Sequence, residues 1–467
     1  MSNFFLQPYQ NRTQSTQDGV IAFKNQAREK ARQVAQTMGG GRLGSITKSQ
    51  STFSDYEKEN LPTKQETRRN LFSLKNESAK LLPNHRVNGC LCNRVHTDKM
   101  VGINVKTTTN TKTHSTERKA TFKNLFRCDS VWVCPVCAQR ILAQRGKEIE
   151  KAIDQQLDNG HSVFMLTLTH SHTKDDELKD KLKRMGKALS RFFGDRACQY
   201  VFSQFGMQGH IKALEFTHSF ANGWHPHNHI LMFSKLDPKQ FKNDVVSVYF
   251  DDNGFIKVVT PYVEKQLIKK KKEHLIELVT IENFIKHYWR KCCLAVGLGE
   301  PSFERGATLQ DADKAKSYLT KFKTAHEMTN ANAKKGKGSS RNQWQLLNDS
   351  MNGDPIASKL FQEYAEATHG QRQLVWSRGL KDLFNIEQID DSDCPDHQDD
   401  QNDTIIDEQE VYFTDEQWFF IKRKKLQPEL LNLAEQQGID AIKDFLQTLP
   451  TTAIPVQLDP TLAVMRM

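Results

Sequence analysis

Two runs of strand-forming residues, HIKALEFTHS from His210 and HNHILMF from His227, flank the turn-rich FANGWHP, and this arrangement constrains the chain more than any other feature. Short alternating runs on either side of a Gly/Asn/Pro turn read as an antiparallel hairpin. Residues two apart in a strand share a face, so His227 and His229 point one way and Asn228 the other. Glu215 lies on the preceding strand, from which an antiparallel neighbour can bring its carboxylate to both imidazoles. Two imidazoles and a carboxylate can hold one divalent ion and leave positions open for water and substrate. A cupin also carries a His-x-His pair but needs a glutamate shortly downstream, whereas Phe233 is followed by Ser-Lys-Leu-Asp-Pro. Non-haem iron oxygenases use similar ligand types, so these donors alone leave the role of the metal open.

The surrounding elements read as a mixed core. SVFMLTLT (Ser162 to Thr169) has strand composition, and Thr173 with Asp176 makes a capping box for a helix from Lys174 to Phe193 carrying Leu178, Leu182, Met185, Leu189 and Phe192 on one stripe. RILAQRGKEIEKAIDQQL places Ile141, Ile149 and Ile153 on another helical face. Lys235 to Lys265 reads as a β-rich insertion, Ile281 to Ala295 and Asp311 to Lys323 as helices, and Gln343 to Phe384 regains helical periodicity. The fold class is therefore α+β, an antiparallel sheet with flanking helices over residues 151–385. Residues 1–80 are basic, polar and mostly without periodicity beyond Gly19 to Met38, which predicts disorder with one possible basic helix. GGGRLGSITKS lacks the Gly-Lys-Ser/Thr of a phosphate-binding loop, so unwinding falls to another protein. Residues 386–413 read as an acidic linker and 414–467 as a small helical unit.

Five of the nine cysteines fall in residues 81–150: Cys90, Cys92, Cys128, Cys134 and Cys137. Cys134-Pro-Val-Cys137 presents two thiolates to one tetrahedral Zn²⁺, and Cys128 supplies a third. Cys90 or Cys92 supplies the fourth, with His85 and His96 as outsiders. Structural zinc followed by a basic helix is the expectation. The absence of an apolar run near the ~18 residues that span a bilayer, together with the free-cysteine pattern, points to a soluble cytoplasmic protein. The net charge of +10 favours a polyanionic partner, nucleic acid before membrane. Lys269, Lys270, Lys271 and Lys272 form an unbroken basic patch for DNA phosphate.

In ATLQDADKAKSYLTKFKTAHE, helical spacing puts Lys314, Tyr318 and Lys321 on one face, with Ala315, Leu319 and Phe322 as the buried stripe. A phenol beside lysines is a competent phosphodiester nucleophile once deprotonated. Tyr288, in FIKHYWRKC, reads instead as a packing residue on an amphipathic helix.

FMLTLTH, ALEF, WHPHNHILMF and KAKSYLTKF stand in an order that resembles the replication initiator proteins of rolling-circle plasmids, members of the HUH endonuclease superfamily. CDSVWVCPVCAQRI and WSRGLK are similar to the same family, so the likeness runs from about Cys128 to Lys381. The resemblance implies Mg²⁺ or Mn²⁺ at His227, His229 and Glu215, Tyr318 as nucleophile, and Lys321 at DNA phosphate; Lys314, on the same helical face, is expected to bind DNA. It implies as substrate a plasmid double-strand origin, single-stranded at the nick, with host helicase and DNA polymerase as partners. Tyr318 would take the 5′ phosphate and free a 3′ hydroxyl primer, and a second transfer would rejoin the circle. Many such initiators carry a glutamate four residues before the tyrosine; Lys314 stands there in this chain. Two other classes compete: a non-catalytic zinc-containing DNA-binding regulator, and a related single-tyrosine transposase or relaxase.

Overall fold

A computed structural model describes residues 62–174, 176–237, 241, 244–311, 340–397 and 403–449. The expected basic helix near Gly19 to Met38, and Lys314, Tyr318 and Lys321, lie outside these residues.

The first described element is the helix Lys64–Leu81, capped by a reciprocal Thr63/Glu66 box. This corrects the expectation of disorder through residue 80. Leu71, Phe72 and Leu74 are buried, but so are Lys75, Glu77 and Ser78, whose partners lie far along the chain. Strands β1 (Val101–Asn110) and β2 (Thr116–Lys123) follow, then the helix Pro135–Asp158 and β3 (Ser162–Leu168). After helices Leu178–Gly194 and Arg196–Gln204 come β4 (Met207–Ser219) and β5 (Gly223–Ser234), the hairpin expected from the sequence. The helix after β3 starts at Leu178, later than expected, because the Thr173 N–H and hydroxyl both bond the Asp176 carboxylate and close a separate turn ahead of it.

The insertion forms β6 (Val245–Phe250), β7 (Ile256–Val258), a helix Pro261–Lys269 and β8 (Glu277–Thr280), a small sheet in the order β7-β6-β8. Helix Ile281–Leu294 leads to β9 (Ala307–Gln310). Helices Gln343–Met351 and Pro355–Thr368, β10 (Leu374–Trp376) and the short helix Leu380–Leu383 come next. Then β11 (Asp403–Phe413) precedes helices Asp415–Lys424, Gln427–Gln437 and Ile439–Gln447.

The central sheet has the order β10-β4-β5-β3-β9, and every paired neighbour is antiparallel. Its two faces bury different clusters. On one, Val163, Met165, Ile211, Ala213, Leu231 and Phe233 share a core with Ile141, Ile149 and Ile153 of helix Pro135–Asp158. On the other, Phe164, Leu166, Leu168, Ile230 and Met232 pack with Met185, Leu189, Phe192, Phe284 and Trp289. Strands covered on both faces lose the polar alternation of a half-exposed sheet. Polar residues therefore stand out where they interrupt it.

The acidic segment is not a free linker over its described part. β11 pairs along its length with β1, and Asp403 bonds Lys119 at 2.9 Å while Glu410 pairs with Lys123. Upstream, Arg145 grips Asp391 at 2.9 Å, and Arg140 donates to the carbonyls of Asp391, Ser392 and Cys394. The acids are held because basic residues of β2 and helix Pro135–Asp158 face them. The C-terminal helices close on the first one: Arg68 bonds Asn432 and Glu435, each at 2.7 Å, and Arg69 bonds Glu429.

Candidate functional site

Along β5, alternate positions on one face change from Phe233 and Leu231 to His229, His227 and His225. The apolar half sits under helix Pro135–Asp158; the imidazoles are only partly buried. Glu215 pairs directly with His227 across the β4–β5 ladder, and the small Ala213 pairs with His229. A register slip of one residue would turn every donor to the opposite face. One Glu215 carboxylate oxygen, Oε2, lies 3.4 Å from His227 Nε2 and 3.5 Å from His229 Nε2. The donor atoms of all three residues lie within 4.8 Å of one another.

The Nδ1 atoms are engaged elsewhere. His227 Nδ1 lies 3.3 Å from the His225 carbonyl, which can only accept, so Nδ1 is the donor in that contact and Nε2 is the nitrogen turned toward Glu215. His229 Nδ1 lies 2.9 Å from Thr167 Oγ1. Thr167 and His229 are register partners on β3 and β5, so both side chains share a face. Sequence reading missed Thr167; the alternation in FMLTLT was the available signal, but its partner needs the strand order. With Nδ1 occupied, both Nε2 atoms converge beside a carboxylate, a donor set that fits a divalent cation.

Further histidines surround the donors. His172 stacks on His225 at 4.6 Å and 15°, and His225 lies 5.3 Å from His227. Burial, with His227 and His172 close by, pushes His225 down to about 4. The segment bearing Tyr318 lies between Asp311, which follows β9 beside β3, and Ser340, which precedes Arg341. The Arg341 backbone exchanges two 2.8 Å bonds with His218 near the end of β4. Its two anchors thus flank the strands that carry the donors. Tyr288 is buried at 1% exposure among Phe192, Phe284 and Trp289, and burial raises its phenol well above the usual range. It packs, as expected.

The basic patch lies in the insertion rather than on the central sheet. Lys269 is the last residue of helix Pro261–Lys269, Lys270 is its C-cap, and Lys271 turns the chain with a positive φ of 55° into Lys272. Lys269, Lys270, Lys271 and Lys272 are all exposed.

A second candidate metal centre gathers Cys90, Cys128, Cys134 and Cys137, all buried. Sulfur separations are 3.8 Å for Cys90–Cys134, 3.6 Å for Cys90–Cys137 and 3.8 Å for Cys128–Cys137. A tetrahedron with metal–sulfur bonds of ~2.3 Å has edges of roughly 3.8 Å. Cys134 caps helix Pro135–Asp158 and Cys137 lies in its first turn, where the helix dipole favours thiolates. Contacts from Cys128, Cys134 and Cys90 hold Cys137 well below the usual thiol range.

The structure chooses Cys90 over Cys92, which corrects the place of Cys92 among the candidate ligands. Cys92 is only half-buried and its sulfur lies 3.5 Å from Lys75 Nζ. His85 is outside too, its Nδ1 accepting from the Val87 N–H. Lys75 is itself 1% exposed, and its Nζ donates to the Cys90 carbonyl at 3.0 Å. A buried ammonium requires nearby negative charge. Four thiolates around a divalent ion carry a net charge of two minus, which fits that requirement; four neutral thiols do not.

Comparison with known proteins agrees with the resemblance to replication initiators. Residues 121–258 match the replication protein family, a span holding three of the four clustered cysteines and the whole Glu215/His227/His229 set. The chain is 23% identical over 319 residues to a protein from Streptomyces lividans named Protein rep, covering 56% of this chain and 64% of that one. It is 29% identical over 114 residues to a Protein rep of Lentilactobacillus hilgardii, covering 24% of this chain and 34% of that one. A Streptomyces cyanogenus protein named Neomycin resistance protein matches at 29% over 132 residues, 23% of this chain and 30% of that one. The chain spans less than two thirds of the length of each of these relatives. No solved structure matches.

Proposed function

We propose that this chain, similar to plasmid replication proteins through residues 121–258, initiates replication by nicking one DNA strand and later rejoining it. The observation that carries this reading is the convergence of Glu215, His227 and His229 on adjacent strands within the matched segment. A bound Mg²⁺ or Mn²⁺ supplies a Lewis acid for a scissile phosphate oxygen. Thr167 and the His225 carbonyl orient the two imidazoles. Tyr318 is the nucleophile: its phenolate oxygen bonds to phosphorus, the bond from phosphorus to the 3′ oxygen breaks, and that oxygen takes up a proton. The products are a 5′-phosphotyrosine and a 3′ hydroxyl that primes synthesis by a host polymerase after a host helicase opens the duplex. Lys321 and Lys314 bind phosphate beside the nucleophile, and Lys269, Lys270, Lys271 and Lys272 hold flanking DNA without reading sequence. Zn²⁺ at Cys90, Cys128, Cys134 and Cys137 serves structure.

The test is incubation with supercoiled DNA carrying the sequence that flanks this gene, with and without Mn²⁺. The expected result is a divalent-dependent nick and a covalent protein–DNA adduct, both lost in Tyr318→Phe and retained in Tyr288→Phe. A wild-type protein that binds this DNA but forms no adduct with any divalent ion is a zinc-containing regulator instead. An adduct that persists in Tyr318→Phe refutes the nucleophile.

A further inference from the structure

The row of imidazoles on β5 extends beyond the donor set. His229 and His227 lie 4.9 Å apart by ring centroid, His225 follows at 5.3 Å, and His172 at 4.6 Å, nearly parallel to His225. Neither His225 nor His172 belongs to the Glu215 donor group. His172 comes from another element, the loop between β3 and helix Leu178–Gly194, so its stacking on His225 must be held by the tertiary structure.

A buried lysine holds it. Lys181, 4% exposed, donates from Nζ to the Trp224 carbonyl at 3.1 Å and to the Thr173 carbonyl at 3.3 Å, and pairs with Asp176 at 3.3 Å. Trp224 immediately precedes His225, and Thr173 immediately follows His172. One ammonium thus joins the two backbones at the positions that set the rings face to face. The hairpin turn adds to the join: a Cβ on Gly223 would come within 3.1 Å of Lys174 Cα. Both rings remain half-buried, which leaves surface for a ligand.

We propose that the His172–His225 stack seats a nucleobase of the single strand, from a nucleotide next to the phosphate that lies at Glu215, His227 and His229. Flat side chains stack on any base, so such a seat holds single-stranded DNA without specifying sequence. Its place in the ring row, one ring beyond His227, sets the strand so that a backbone phosphate reaches the donors. The inference rests on the single-strand reading above, and its test is independent of cleavage.

The measurement is fluorescence anisotropy of a labelled single-stranded oligonucleotide from the flanking DNA, in buffer with no added Mg²⁺ or Mn²⁺ and no chelator, so that the cysteine centre keeps its zinc. Base stacking on one ring contributes ~1–3 kcal/mol, so His172→Ala should weaken binding by about fivefold to a hundredfold, while His172→Phe keeps near-wild-type affinity. An abasic site moved along the oligonucleotide gives a second reading with the unaltered protein. At one position it should cost as much as His172→Ala, and the two losses should not add. Mn²⁺ affinity should stay the same in His172→Ala. Unchanged DNA affinity in His172→Ala, equal losses in the Ala and Phe variants, or additive losses at every abasic position would overturn the proposal. A parallel drop in Mn²⁺ affinity would make His172 a ligand and overturn it also. Wild-type protein that ignores single-stranded DNA overturns both this seat and the nicking reading. Wild-type protein that binds it with the expected pattern but forms no adduct overturns only the latter.

Discussion

Thr167→Val isolates the orientation of His229 from its presence. Valine replaces the hydroxyl with a methyl of similar size, so packing on β3 is preserved while the 2.9 Å contact to His229 Nδ1 is lost. The ring is 14% exposed, and a polar atom left unpaired there costs ~1–3 kcal/mol. At ~1.4 kcal/mol per tenfold, that is a drop in cation affinity of roughly fivefold to a hundredfold, which overlaps the ~10–100-fold found for outer partners of metal-ligating histidines. His227 provides the contrast: its Nδ1 bonds a main-chain carbonyl, which no substitution deletes. The assay is Mn²⁺ titration followed by electron paramagnetic resonance, on protein shown to be folded by circular dichroism. Thr167→Ser should bind as the wild type does. Equal Mn²⁺ affinity in Thr167→Val and wild type would refute the reasoning, because His229 would then be oriented without this contact.

Other expectations follow from the same geometry. Cys90→Ser should lose bound zinc and fold stability while Cys92→Ser retains one equivalent; loss of zinc in both, by metal analysis of purified protein, would put the ligand choice wrong. Lys75→Met should accelerate zinc release to a chromogenic chelator, and an unchanged rate would remove Lys75 as the balancing charge. His210 stacks on Phe193 at 3.9 Å, and burial pushes it down to about 3, so it stays neutral in the fold while an unfolded chain takes up a proton below ~6.5. Its contribution to stability is therefore complete above that pH and is lost as pH falls from about 6.5 toward 3; His210→Phe should flatten this part of the acid-unfolding curve, and an unaltered curve would clear His210 of the effect. Neutralising Lys269, Lys270, Lys271 and Lys272 together should weaken DNA binding across sequences and reduce its salt dependence, whereas an unchanged slope of affinity against salt would leave them idle.

What the sequence made legible was local. Period-two alternation is a property of a few consecutive residues, so the hairpin, the shared face of His227 and His229 and the reach of Glu215 followed directly. Thr167 was hidden because its role depends on β3 lying beside β5, which no local pattern states. Cys90 and Cys92 stand two apart, and only the tertiary packing, which brings the Cys90 sulfur to Cys134 and Cys137 and the Cys92 sulfur to Lys75, tells them apart. Helix Lys64–Leu81 escaped notice because Lys75, Glu77 and Ser78 interrupt its apolar face; they are buried there because Cys90, Ser350 and Val133 bond them. The acidic segment looked solvated for the same reason, its basic partners on β2 and helix Pro135–Asp158 being more than two hundred residues away in the chain.

Helix Pro135–Asp158 explains why a cysteine centre and a histidine–carboxylate site belong to one body. Its first turn carries Cys137, and Arg140 in the next fastens the segment around Asp391 to Cys394. Midway, Glu148 pairs with Lys381 at 2.8 Å, and Ile149 and Ile153 lie beneath the central sheet. In its last turns, Gln156 Nε2 donates to the carbonyls of Ser162 and Ser234, the register-paired ends of β3 and β5. Those are the two strands that bring Thr167 to His229. A site whose donors must converge within a few ångströms needs strands that do not slide, and a covering helix bonded to both of them resists sliding. The cysteine centre fixes where that helix begins, and Gln156 fixes where it meets the sheet. Among the described residues, the face carrying Glu215, His227 and His229 is only partly buried toward the hairpin, where His172 stacks on His225.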